Sequence, residues 1–201
     1  MFDMVSPEQF REEIEVAKVG IRREGYRMDG KGPKGMRHHA GLGDGGHCCD
    51  YLLKNEESFV LIEETQLLET IREYKKKYFG PSKDALRALT VRLIRDENKL
   101  KVFFSLLVLC RLAADHPEFK QITQAKKCHV WLVASVRSTD MMALENLEKS
   151  MLKDEKEILK GVKKSLDGGA LGSAIGKKMG KFQVVPGEKL ESKISEYAPT
   201  Y

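Results

Sequence analysis

The sequence predicts an α/β protein, with α+β as the alternative arrangement: a small mixed sheet with a central hairpin, flanked by helices. Three observations predict it. Two apolar, strand-like runs, HCCDYLL (47–53) and FVLIEET (59–65), are separated only by the short polar KNEES, which is hairpin spacing. Segments with helical period lie before and after that hairpin. A third β-branched run, KCHVWLVASV (127–136), follows the helices, so strands and helices are mixed along the chain rather than segregated.

Taken in order, the chain opens with a helix signal in SPEQFREEIEVAKVGIRREG. Ser6 is placed to cap, Pro7 to occupy the first helical position and Gln9 to reach back to the cap. Phe10, Ile14, Ala17 and Ile21 then recur at helical spacing, and Gly25 ends the pattern. Residues 30–46 read GKGPKGMRHHAGLGDGG and hold seven of the seventeen glycines, so they form a long loop. The loop matches G-x-G-x-x-G at Gly41, Gly43 and Gly46, but a basic loop precedes the match and a strand follows it. That is the wrong context for a dinucleotide fold.

After the hairpin, QLLETIREYKKKYFG places Leu67, Leu68, Ile71, Tyr74 and Tyr78 on one helical side and stops at Gly80-Pro81. Ser82 begins another helix, and Asn98 is placed to cap a third, LKVFFSLLVLCRLAAD, apolar nearly all round and therefore buried, with a buried strand in its middle as the alternative that periodicity leaves open. Residues 139–166 read as a long polar helix whose apolar positions are Met142, Leu144, Leu147, Met151, Ile158 and Val162. From Asp167 the chain is rich in Gly and Lys, and Gly168, Gly172, Gly176 and Gly180 recur every fourth residue. This divides the chain into an α/β domain over 1–166 and a tail over 167–201. The tail has too little apolar surface to offset its ordering entropy, so it is expected to be mobile or ordered only against a partner or second copy.

Length and composition bound the class. With 201 residues, 41% hydrophobic and 32% charged, the chain can bury a core and is neither a coiled-coil rod nor a disulfide miniprotein. Its longest apolar run, Val102–Cys110, is too short to cross a bilayer, and MFDMVSPEQF lacks the pattern of a secretory signal. Cys48 and Cys49 are adjacent and Cys110 lies in the apolar run, so reduced thiols and a cytoplasmic location are expected. The net charge of +5 is uneven, with seven basic residues between Lys18 and Arg37 against Glu24 and Asp29, and such segments attract polyanions.

The hairpin carries the chemistry. With Glu56 and Glu57 at the turn, Asn55 faces Ser58, Leu53 faces Val60 and Asp50 faces Glu63, so the two acids share a sheet face with Thr65. Leu52, Phe59 and Leu61 lie on that same face, while Cys49, Tyr51, Leu53, Val60 and Ile62 line the other. A one-residue slip would instead present Glu64 and Gln66. Two carboxylates that close repel unless a proton or a cation lies between them, and a hard divalent cation suits oxygen ligands.

Asp50 on one strand and Glu63-Glu64-Thr65 on the next resemble the metal and catalytic motif of the PD-(D/E)xK nuclease superfamily. The resemblance covers roughly residues 6–136, with a helix before the hairpin and a helix and strand after it. It implies Mg²⁺ or Mn²⁺ held by Asp50 and Glu63, hydrolysis of DNA, and a setting in restriction, repair or defence. Thr65 stands where the family has its lysine, and Lys75, Lys76 or Lys77 of the next helix is the nearest substitute in sequence. Arg37, His38, His39, Lys75 and Lys76 are the expected nucleic-acid contacts, and Glu13 or Glu24 an added ligand. The chain is then either a divergent nuclease or an inactive subunit of that fold, which would join a larger complex or a second copy through 139–166 and the tail. Two other readings are open. His38, His39, His47, Cys48 and Cys49 suggest a transition-metal site, although adjacent cysteines on a strand point to opposite faces. Cys48 or Cys128 with His129 suggests a thiol nucleophile.

Overall fold

The computed structural model describes residues 5–16, 19–42, 47–78, 82–125, 127–134, 153–166 and 178–198. Its centre is a mixed six-stranded sheet whose strands lie side by side in chain order. β1 (Arg11–Val16), β2 (Val19–Arg27), β3 (Tyr51–Lys54) and β4 (Ser58–Thr65) form an antiparallel meander. β5 (Lys127–Ala134) and β6 (Lys178–Pro186) then run parallel to β4. The fold is α/β, as the mixed order of strands and helices predicts.

A parallel neighbour requires a crossover, and the crossover from β4 to β5 is helical. It consists of α2 (Leu67–Lys77), α3 (Lys83–Asp115) and α4 (Pro117–Thr123). A short α1 (Met36–His39) lies in the Gly-rich loop, α5 (Lys153–Leu166) precedes β6, and α6 (Leu190–Tyr197) closes the described chain. Among the described residues no helix is long and apolar enough to cross a membrane.

Strand alternation sorts the core onto the two faces of the sheet. Leu52, Phe59, Leu61 and Val130 pack with Val102, Leu106, Leu109 and Phe119 of the helical layer. Farther along that face, Leu132 packs with Leu68, Ile71, Ile94, Ile158 and Val162. Tyr51, Leu53, Val60, Ile62, Trp131 and Val133 form the other face, which Leu190 and Ile194 of α6 cover.

The N-terminal segment departs from its helical reading. Ser6 does cap, accepting from the N–H of Glu8, but it caps a single 3-10 turn at Pro7–Phe10. The chain then becomes the β1–β2 hairpin. In EEIEV the apolar residues also alternate, and Ile14 and Val16 are buried between exposed glutamates. Period-two burial and β-branching prevail because β2 and β3 provide a sheet to join. Gly25 belongs to this packing, since a Cβ there would lie 3.1 Å from Ile14.

Asn98 does not cap a third helix. α3 is one helix of 33 residues, capped by Ser82, and Asn98 inside it donates to the carbonyl of Ile94 at 2.8 Å. The strand expected over 47–53 pairs from Tyr51 onward, so Cys49 lies with Leu52 in the helix-side core rather than with Tyr51. In the loop, Gly30 and Gly35 meet backbone to backbone, and a Cβ on Gly35 would fall 2.2 Å from the Gly30 nitrogen.

The C-terminal part differs most from expectation. Lys178–Pro186 pairs with β5 as an edge strand, and α6 buries Leu190 and Ile194 at 0% exposure against Trp131, Val60 and Ile62. These residues are packed within the chain itself, not held out for a partner. Gly168, Gly172 and Gly176 of the fourfold glycine pattern, and the first part of the 139–166 helix, lie outside the described residues.

Truncation after residue 177 should therefore expose one whole apolar face of the sheet and abolish cooperative unfolding, as read by circular dichroism. Ile194→Ala should cost about 2–4 kcal/mol in urea unfolding, the range for a buried large-to-small change. A truncated chain that melts at the wild-type temperature would return 178–198 to the status of a tail.

Candidate functional site

The register places the two acids. Leu53 pairs with Val60 and Tyr51 with Ile62, and the N–H of Asn55 donates to the carbonyl of Ser58. The turn is therefore the one expected, but the paired ladder stops at Tyr51 and Ile62, one residue short of Asp50 and Glu63. Asn55 holds the turn, its Oδ1 accepting from the N–H groups of Glu57 and Ser58 at 3.0 and 2.8 Å. The slipped register with Glu64 and Gln66 does not occur.

Asp50 sits one residue before β3. Its carbonyl accepts from the N–H of Met28, and its Oδ2 accepts from the N–H of Glu64 at 2.8 Å. The carboxylate thus takes the place of a ladder partner for β4 where β3 has not begun. Burial raises its pKa, opposed by the Glu64 N–H and by the charges of Arg27 and Lys101.

Glu63 is 4% exposed on the helix-facing side of β4. Its Oε1 accepts from Nζ of Lys101 at 2.5 Å, while its Oε2 is buried with no hydrogen-bond partner among the described residues. Burial first, and then the charge of Asp50, push the Glu63 pKa up to about 8 against the pull of Lys101. Burial alone would lower the Lys101 pKa, but Glu63, Glu97 and Asp50 together raise it. Lys101 thus pairs with Glu63 and Glu97 while its charge, with that of Arg27, reaches half-buried Asp50, and one Glu63 oxygen is left over.

Lys101 comes from the middle of α3, 38 residues beyond Glu63. One turn later, Ser105 accepts from the N–H of Cys49 at 2.8 Å and donates to the carbonyl of Lys101. These contacts set the height of α3 over the acid pair. Asp29, joined to Arg37 at 3.1 Å, is a third carboxylate whose charge is felt at Glu63 and at Cys48.

The remaining expected site residues divide. Thr65 ends β4 half-buried, opposite Ala134 of β5. Arg37 is buried on Asp29 instead of facing solvent, because the loop folds back through Gly30 and Gly35. His39 bonds the Pro33 carbonyl at 3.0 Å and meets the Phe10 ring edge-on. Lys75 is ion-paired with Asp154 of α5. His38 and Lys76 are exposed. Glu13 and Glu24 face each other on the β1–β2 hairpin, with Glu24 bound to Arg11 at 2.6 Å. The lysine beside the acids is therefore on α3, not on α2.

The thiol readings fail on burial and direction. Burial pushes Cys48 up to about 12 and Cys49 well above the ordinary thiol value, so neither is a thiolate near neutrality. Cys128 lies in the helix-side core, whereas the neighbouring His129 ring meets Tyr197 of α6 edge-on. Among the described residues no group of three or more His, Cys, Asp or Glu side chains is placed to hold a metal ion. Asp50 and Glu63 are two, and the buried, unpartnered Oε2 of Glu63 is an oxygen suited to a hard cation. Mg²⁺ commonly binds through one or two carboxylates and keeps several waters, so this donor set fits it.

Polar interruptions of an apolar helix were the signal for Lys101. Asn98, Lys101 and Ser105 stand at i, i+3 and i+7 within NKLKVFFSLLVLC and so share one face. Reading that segment as apolar all round hid them.

Two expectations follow. Glu63 binds its proton more tightly folded, with a pKa of about 8, than at its ordinary value of 4.5. Between those pH values the native state holds the extra proton, so stability falls as pH rises through the window. In metal-free buffer, Glu63→Gln should gain thermal stability on the wild type from pH 5 to pH 9, and a gap that stays constant would contradict the shift. Above the Glu63 pKa of about 8, Lys101→Met should destabilise by about 3–5 kcal/mol in chemical unfolding, since it leaves the buried Glu63 charge uncompensated.

Comparisons with protein-family models, with curated proteins and with solved structures find no match to this chain, so the acid pair and Lys101 must be read from their own geometry.

Proposed function

We propose that the chain is a divergent metal-dependent nuclease of the PD-(D/E)xK kind, acting on DNA in restriction, repair or defence. In this reading Asp50 and Glu63 hold Mg²⁺ or Mn²⁺. Lys101 supplies the positive charge that the family's lysine would have supplied at the position of Thr65. The observation that carries the proposal is Glu63: a buried carboxylate within reach of the charge of a second acid, Asp50, with one oxygen on Lys101 and the other unpartnered among the described residues.

A bound divalent cation supplies an activated water and stabilises charge on the scissile phosphate. The chain's own residues do the rest. The N–H of Glu64 orients the Asp50 carboxylate. Burial keeps the Glu63 proton available for exchange against a cation near neutral pH. Ser105 and the β3–β4 turn keep the helix and the hairpin in step, so that three charged groups from distant positions share one place. Lys31 and Lys34 of the Gly-rich loop, and Lys76 of α2, are exposed cations available to a phosphate backbone, and His38 is exposed on the same loop.

The second reading, a subunit that keeps the fold without the chemistry, is favoured by the closed ion pair on Glu63. The described parts of its two proposed docking segments are otherwise engaged, however. Ile158, Leu159 and Val162 of α5 are buried in the core, and β6 and α6 complete the sheet.

Incubation of the protein with supercoiled plasmid and Mg²⁺ or Mn²⁺ tests the choice. The wild type should nick or linearise DNA. Asp50→Ala, Glu63→Gln and Lys101→Met should each slow cutting by about a hundredfold or more, the scale of losing one stabilising group at a transition state. No cutting under either metal supports the subunit, and cutting unchanged in Asp50→Ala places the chemistry elsewhere.

A further inference from the structure

The acid pair carries a cation of its own, and that cation has two places to sit. Nζ of Lys101 is 2.5 Å from Glu63 Oε1 and 3.8 Å from Glu97 Oε1, both within ion-pair reach. The two carboxylates differ in setting: the Glu63 side chain is 5% exposed and the Glu97 side chain 45%. Glu97 lies one turn earlier on α3 and is itself held, because its Oε2 accepts from the Tyr74 hydroxyl of α2 at 3.0 Å. A chain of polar contacts thus runs from Tyr74 through Glu97 and Lys101 to Glu63.

We infer that Lys101 is an exchangeable counter-cation of the acid pair, which a divalent cation displaces from Glu63 toward Glu97. The inference rests on the reading that Asp50 and Glu63 hold such a cation. Glu63 is buried with half-buried Asp50 acting on it, and Lys101 on its Oε1 leaves Oε2 without a partner among the described residues. A divalent ion on those oxygens would stand beside the ammonium, and two cations a few ångströms apart repel strongly where water is scarce. The lysine stem is flexible and α3 is rigid, so the ammonium swings while the helix stays in place. Glu97 already attracts it and is placed to receive it. The site would then be closed and neutralised in the absence of metal, and would open without any movement of the sheet.

Reciprocity makes the exchange measurable. If metal and Lys101 compete for Glu63, removing Lys101 strengthens metal binding, and removing Glu97 weakens it by denying Lys101 its second position. A calorimetric titration with Mn²⁺ at fixed pH reads both effects without any assay of DNA cleavage. Lys101→Met should tighten Mn²⁺ binding about fivefold or more and Glu97→Gln should weaken it by a similar factor, the lower range for coupled sites. Glu97→Gln placed in the Lys101→Met background should change affinity by less than about twofold, because Glu97 acts through Lys101. Lys101→Gln serves if the Met variant does not fold.

The proposal is overturned if Glu97→Gln weakens binding equally in both backgrounds, since Glu97 then acts only as a distant charge. It is also overturned if neither Lys101 variant binds Mn²⁺ more tightly. In those cases loss of binding in Asp50→Asn/Glu63→Gln still upholds the acid pair as the cation site. If the wild type and the Lys101 variants bind no better than Asp50→Asn/Glu63→Gln, the cation site itself falls, and the exchange with it.

Discussion

β4 is held on both edges, antiparallel to Tyr51–Lys54 on one side and parallel to Lys127–Ala134 on the other. That double pairing constrains everything around it. Phe59 and Leu61 must face the helical layer, and Val60 and Ile62 must face α6. By the same alternation Glu63 must follow Phe59 and Leu61 into the helical side, where water is scarce. A slip of one residue would reverse every one of these directions, so the packing of four apolar side chains fixes the position of one buried carboxylate.

The helical layer answers that constraint. α3, at 33 residues, spans about 50 Å at ~1.5 Å per residue. It crosses the sheet where Glu63 enters the core, and it brings Lys101 to one carboxylate oxygen and Ser105 to the backbone of Cys49. Phe59, Leu61, Val102, Leu106 and Leu109 pack the same interface by apolar contact. The polar contacts therefore choose the position of α3 along its own axis, while the apolar contacts choose its distance from the sheet. Burial of charge is costly unless it is paired, and Lys101 meets one oxygen of Glu63 while the Glu64 N–H, Arg27 and Lys101 act on Asp50. Burial raises the pKa of both acids, and Glu63 Oε2 has no partner among the described residues.

The C-terminal elements complete the other face. Without α6, Trp131 and Ile62 would face solvent with little more than edge contacts. β6 has modest apolar content, but on β5 its backbone finds a ready ladder partner from Lys127 to Ala134. Pairing to an existing edge satisfies backbone groups that composition does not reveal.

What the sequence by itself determined was local. The β3–β4 turn follows from Asn55 and Ser58 around two glutamates, and the alternation of FVLIE places Glu63 with Phe59 and Leu61. Together these made the β3–β4 register, the α/β class and the Ser82 cap legible from residues close in the chain. The tertiary structure decided what depends on distant partners. EEIEV and its neighbours carry both a helical and a strand period, and the edges of β2 and β3 select the strand. Asn98 became an interior helical residue because Ile94 and Val102, one turn before and after it, are both buried against the sheet and its side chain bonds the Ile94 carbonyl. The lysine of the site came from α3 rather than from Lys75, because the position of a side chain 38 residues away is set by how a helix lies on a sheet. No short-range pattern encodes that placement.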